Sequence, residues 1–212
     1  MTREKLSFHD IFYIFLFGCL LGWVVEGLWT LLKKGLLINH SALVIGPFNL
    51  VYGLGAIVLT LALYKIKDCN SIKIFGVSFA VGTILEYAIS LFMEYVFGFV
   101  AWTYKHKPYN INGRVCLSYS IFWGILGIFW IKFIFPKVKK LIAKLNKTES
   151  IKFIKIAIIF LIFDSILTIG AINRGKEYEQ NIPPNNKIEE VIDKYFGVEY
   201  LNNMFNNRWN RK

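Results

Sequence analysis

Charge is scarce in this chain: only 18% of its 212 residues are Asp, Glu, Lys or Arg, against about a quarter in an ordinary soluble domain. Acidic side chains are scarcer still, 14 against 25 basic ones. Cysteine is limited to Cys19, Cys69 and Cys116, without CxxC or metal-ligand spacing, which excludes a disulfide framework or a zinc site. Neither GxxxxGK[ST] nor HExxH occurs, so a P-loop and a helical zinc protease are excluded. The three histidines, His9, His40 and His106, fall near the ends of apolar runs. No nucleophile, base and orienting group can be assembled from these residues, so neither catalysis nor a cofactor is expected. Segments between apolar runs never exceed about 20 residues, too few for a soluble catalytic or nucleotide-binding domain.

Apolar side chains are what the chain has in excess: 55% of residues are hydrophobic and the mean hydropathy is +0.46. Five runs, Phe8–Leu32, Pro47–Tyr64, Ile72–Phe97, Leu117–Phe135 and Ile151–Ile172, approach the roughly 20 residues that cross a hydrocarbon core about 30 Å thick. The expected fold is all-α, a polytopic membrane protein with about five transmembrane helices in the cell membrane. Residues 1–135 would form a four-helix core, 136–150 a basic cytoplasmic connection, 151–173 a fifth helix and 174–212 a linker with an amphipathic tail. Arg3 and Lys5 precede the first run as in a signal peptide, but its length and Glu26 predict a retained helix.

A net charge of +11 could mean nucleic acid in a soluble chain. Here many Lys and Arg flank membrane spans, where they set topology or meet anionic lipid; no nucleic-acid partner is expected. Twelve basic residues fall on the side of the N-terminus and of the second and fourth connections, and five on the side of the first and third. The positive-inside rule then places the N-terminus in the cytoplasm. The fourth connection carries Lys137, Lys139, Lys140, Lys144 and Lys147 with Val138, Leu141, Ile142 and Leu145 at helical spacing. It reads either as a helix on the cytoplasmic leaflet or as a surface for another subunit. In the tail, Ile188, Val191, Ile192, Tyr195 and Phe196 share one helical face, and Met204, Phe205 and Trp209 follow; an interfacial helix is expected there.

A repeat underlies the core. Gly18, Gly22 and Glu26 recur as Ser78, Gly82 and Glu86, small-xxx-small with an acid one turn later. These positions share a helical face, so the small residues permit close approach and the acid faces a neighbouring helix rather than lipid. Gly46, Leu50 and Tyr52 then match Gly113, Leu117 and Tyr119 in register. Two hairpins, 8–64 and 72–135, are expected to share one orientation.

An acid at the centre of a membrane helix costs about 2.5–3.5 kcal/mol to insert. Glu26, Glu86 and Glu94 must therefore be protonated, paired or open to water. Glu86, Ser90 and Glu94 lie on one arc of the third span. Arg114 is the expected cation partner, because guanidinium stays charged when buried. The connection from Trp102 to Arg114, which includes Asn110, is denser in aromatic and amide groups than a turn requires; an aromatic belt and a binding lid are both open readings. Asp164 in the fifth span stands apart from these acids.

Several short motifs in one order carry a family resemblance: Trp23-x-x-Glu26, Asn39, Gly46-Pro47, Tyr52-Gly53-x-Gly55, Glu86-Tyr87, Met93-Glu94, Trp102-x-Tyr104, Asn110-x-x-Gly113-Arg114 and Cys116-Leu117. The chain resembles the ABC-transporter permeases of the CmpB type over roughly Phe8 to Phe135. It departs where His40-Ser41 replaces Arg-Gly, Leu50 a second Pro, and Thr103 an Asp. The resemblance implies a transporter component for a small solute or ion, partnered by a separate ATPase subunit, in contact with membrane lipids and open to homo-oligomer formation. Glu26, Glu86, Glu94, Arg114, Trp23, Asn39, Tyr52, Ser90, Trp102, Asn110 and Tyr119 are the candidate binding residues. The competing reading is a non-transporting membrane protein that binds lipid or a protein partner, its acids fixed in structural ion pairs.

Overall fold

The first apolar run becomes a helix because both ends carry stop signals. At its start the Asp10 N–H donates to the Ser7 hydroxyl at 3.2 Å while the Ser7 N–H donates to the Asp10 carboxylate at 2.9 Å, a reciprocal cap that satisfies two otherwise unpaired donors. At its end Gly35 adopts a φ of 69° and returns its N–H to the Leu31 carbonyl at 2.9 Å, as a left-handed C-cap does. This helix, α1 (Phe8–Lys34), is followed by α2 (Leu50–Leu63), a short 3-10 turn (Tyr64–Ile66) and α3 (Ser71–Phe97). A hairpin of β1 (Asn110–Ile111) and β2 (Val115–Cys116) leads to α4 (Leu117–Phe129), a π-helical turn (Trp130–Ile134) and α5 (Phe135–Ala143). Then come α6 (Lys147–Glu179), α7 (Lys187–Phe196) and α8 (Val198–Met204). The computed structural model describes residues 6–97, 100 and 102–204; Arg3, Lys5, Gly98, Phe205 and Trp209 lie outside the described residues.

Four stretches are long and apolar enough to cross a membrane, namely Phe8–Lys33, Ser71–Val96, Leu117–Ala143 and Lys147–Glu179. The architecture is that of an all-α polytopic membrane protein. The expected second span is shorter than the other four: α2 has 14 residues and rises only about 21 Å, because residues 36–49 before it are not helical. The fourth span runs further than expected, since α4 passes through the π turn into α5 instead of ending at Phe135. Pro136 sits in the first turn of α5 and lacks the N–H a regular helix would use. The Phe135 N–H accordingly reaches back five residues to the Trp130 carbonyl, so the helix widens rather than breaks. Phe135, Val138 and Ile142 are buried along α5, while Leu141 is exposed.

The chain packs as two units. One comprises the described parts of Met1–Gly53 and Leu145–Lys212. Within it the non-helical strap 41–46 is buried at Ser41, Leu43 and Val44, the last two at 2% and 1% exposure. Irregular backbone is tolerated at membrane depth only where protein satisfies its polar groups, and here α6 and α8 do so. The Val44 N–H donates to the Thr168 hydroxyl at 3.0 Å, the Ile45 N–H to Asp164 Oδ1 at 3.1 Å, and Tyr200 to the Val44 carbonyl at 2.6 Å. Val44, Ala171, Ile192 and Leu201 form the core here, with Ile45, Leu167 and Phe196 against them. Of the apolar face expected on α7, Ile192 is thus buried, whereas Ile188, Val191 and Tyr195 remain exposed, leaving an apolar strip beside a docked one.

Leu54–Lys144 forms the other unit, built around α3 against α4. Its hairpin turns through Asn112 and Gly113, at φ 52° and 68°, two consecutive left-handed residues as a type I′ turn requires. Val115 and Cys116, its second strand, are buried.

Candidate polar sites of the membrane helices

Glu86 is the most enclosed of the candidate acids, 6% exposed on α3. Each of its oxygens accepts a hydrogen bond, one from the Tyr104 hydroxyl at 2.7 Å and one from Trp123 Nε1 at 3.0 Å. Both donors are neutral, so the carboxyl is satisfied without a cation. Trp123 can approach because Gly82, one turn before Glu86, has no side chain: a Cβ there would overlap the indole. Tyr104 in turn stacks on Tyr119 with ring centroids 4.5 Å apart. Burial, and next the neighbouring Glu86, push the Tyr104 phenol well above its ordinary range, so it remains a donor.

The first hairpin solves the same problem in the same way. Tyr52 donates to Glu26 Oε1 at 2.6 Å, and Gly22, one turn before Glu26, lies so close to the Tyr52 ring that a Cβ would overlap it. The openings of the second helices correspond too. α2 begins at Leu50 and α4 at Leu117, each four residues after a glycine of positive φ, Gly46 at 81° and Gly113 at 68°. Glycine takes that conformation without the steric cost a side chain would bring.

Arg114 pairs with Glu94 rather than with Glu86. The guanidinium also donates to Ser90 at 3.3 Å and lies 5.8 Å from the Tyr87 ring centroid, while its backbone carbonyl accepts from Trp102 Nε1 at 3.0 Å. The Glu94 hydrogen bond raises the Arg114 pKa further, which keeps it cationic. Side-chain exposure of 15% for Arg114 and 43% for Glu94 marks this as a rim pair. The polar arc expected on α3 is therefore two environments, an enclosed carboxyl at Glu86 and a solvated ion pair at Glu94.

The other candidates are held in local structure. Trp23 Nε1 donates to Asn39 Oδ1 at 2.9 Å, and the same oxygen accepts from the Ser41 N–H and hydroxyl, so this pair anchors the strap. Asn110 accepts from the Gly113 N–H at 3.0 Å and donates to the Lys107 carbonyl at 2.8 Å, which fixes the hairpin. Sequence reasoning did not single out Trp123, although Tyr119 and Trp123 are four apart on one helical face. Nor did it find the cluster around Arg174, which is 4% exposed: Asp193 accepts from Nε and Nη2 at 3.0 and 2.6 Å, and Glu177 pairs with Nη1. Among the described residues no group of His, Cys, Asp and Glu side chains could hold a metal ion.

Fold and sites together define a multi-helix membrane protein whose Glu26 and Glu86 carboxyls are served by aromatic donors. Residues 13–169 match the family described as Putative ABC-transporter type IV. The chain belongs to that family, and is thereby a membrane component of the ABC-transporter class. No curated protein and no solved structure matches the chain.

Proposed function

We propose that the protein is the membrane-embedded permease component of a transporter for a small solute or ion in the cell membrane, worked by a separate ATPase subunit. Glu26 and Glu86 are the polar groups that meet the cargo, and no catalytic step is assigned to any side chain. The supporting observation is the Glu86 carboxyl, enclosed in a membrane helix yet hydrogen-bonded at both oxygens by Tyr104 and Trp123, with Tyr52 serving Glu26 in the first hairpin. An acid retained at such depth is by default a functional group. The exposed Lys137 and Lys140 of α5 and Lys144 just after it suit an acidic partner surface.

The test is transient current on a solid-supported membrane carrying proteoliposomes, with concentration jumps of sodium, potassium, ammonium, arginine, spermidine and glycine. A current with one of these that Glu86→Gln and Glu26→Gln both lose supports the reading. Currents that both variants leave unchanged favour a non-transporting protein with structural acids. The Arg114–Glu94 pair is the observation that speaks for this second reading.

A further inference from the structure

Asp164 is the one aspartate that is buried among the described residues, at 0% exposure, in the helix that carries the most apolar membrane-spanning stretch. Oδ1 accepts from the Ile45 N–H at 3.1 Å, while Oδ2 has no hydrogen-bond partner among the described residues. Thr168, one turn further along α6, receives the adjacent Val44 N–H and is itself a hydrogen-bonding neighbour of the carboxyl. The group is thus joined to the irregular strap 41–46 on one oxygen and unmet on the other. The titratable side chain facing it is Tyr200 of α8, which is spent on the Val44 carbonyl. The core of this unit, which the strap joins through Val44 and Ile45, α6 through Leu167 and Ala171, and α7 through Ile192 and Phe196, is apolar. No charged group of α1 is bonded to it among the described residues.

We propose that Asp164 is a proton-binding site, and that the bound proton latches the strap 41–46 against α6. An ionised carboxylate with a bare buried oxygen carries the full desolvation cost of a charge, whereas the neutral acid leaves only one hydroxyl unmet. The docked strap therefore fits the protonated form. A metal cation does not fit, because no second acidic, His or Cys ligand is grouped with Asp164 among the described residues and the Ile45 N–H already occupies one of its oxygens. Loss of the proton requires water to reach Oδ2, and the strap, with Val44 and Ile45, is the layer that must open. Proton binding at Asp164 and closure of the strap are then one equilibrium. This inference does not depend on Glu26 or Glu86 meeting a cargo.

Two measurements on the full chain in lipid nanodiscs test it. Infrared spectra of protein carrying 13C at the aspartate carboxyls isolate any protonated aspartic acid without a mutation, since the other three, Asp10, Asp68 and Asp193, are not buried. A protonated band at neutral pH, absent in Asp164→Asn, supports the site; its absence from the labelled wild type overturns it. In a background without the native cysteines, Val44→Cys reports strap opening by maleimide labelling. The rate should rise several-fold with pH relative to the same cysteine in Asp164→Asn, which keeps an acceptor for Ile45 but cannot titrate. Parallel pH profiles in the two backgrounds overturn the latch.

Discussion

Trp123→Phe is the substitution that isolates how Glu86 is accommodated. It removes the Nε1 donor that reaches Glu86 at 3.0 Å and keeps an aromatic ring over Gly82. A hydrogen bond to a charged group contributes about 1.5–3 kcal/mol, and the unmet partner carries its own desolvation cost. The smaller ring leaves a void whose cost is about 1 kcal/mol. The single variant should therefore lose about 3 kcal/mol. Glu86→Met removes the carboxylate at similar volume and leaves both donors, Trp123 and Tyr104, unpaired. Because the two changes share one hydrogen bond, the double variant should recover about 2 kcal/mol of the summed loss. Reversible unfolding in mixed micelles, followed by far-ultraviolet circular dichroism, measures all four corners of the cycle. A coupling below about 0.5 kcal/mol would mean that Glu86 is served by water, and would refute the role given to Trp123.

Three further outcomes follow from the geometry. Arg114→Gln should cost only about 1 kcal/mol in the same unfolding assay, because Glu94 is 43% exposed and water can replace its partner; a loss of several kcal/mol would mean that the pair is enclosed. Tyr104→Phe should flatten the alkaline end of the stability profile. The folded state holds the phenol proton beyond its ordinary value, so this contribution is complete below about pH 10 and lost as pH rises above it; an unchanged slope from about pH 8 to about pH 11 would contradict this. Cysteine placed at position 106 should label from outside intact cells and at position 147 should not, and the reverse pattern inverts the topology drawn from basic residues.

Hydropathy makes the helices legible because burial in lipid imposes a length requirement on each apolar run, and Phe8, Ser71 and Leu117 open helices within a residue of where the runs begin. It is blind to backbone satisfaction. The run Pro47–Tyr64 has the composition of a full span, yet α2 is short, because the strap before it finds its partners in Thr168 and Asp164 more than a hundred residues away. No local pattern encodes such partners. The hairpin, by contrast, is encoded locally: Asn112-Gly113 is the residue pair that a type I′ turn demands. The spacing of Gly22 to Glu26 and of Gly82 to Glu86 identified the helix faces, but not the aromatic rings that fill them. Those rings belong to the next helix in each hairpin, and their donors point inward only after the small residues have let them approach.

Three acids end in three chemical environments, and the difference lies in what each oxygen meets. Glu94 is half in water with a guanidinium partner, an arrangement that costs little and contributes little. Glu86 has a neutral donor at each oxygen. A cation partner in its place would have to be desolvated as well, and the attraction gained often fails to cover that second cost. Tyrosine and tryptophan supply directed donors on bodies that are otherwise apolar, so they stabilise an enclosed carboxyl while keeping the helix faces compatible with lipid and with each other. Asp164 has a donor at one oxygen only. The same logic that lets Glu86 rest as it stands leaves Asp164 in need of a proton or of water, and which of the two it takes decides whether the strap over it is closed or open.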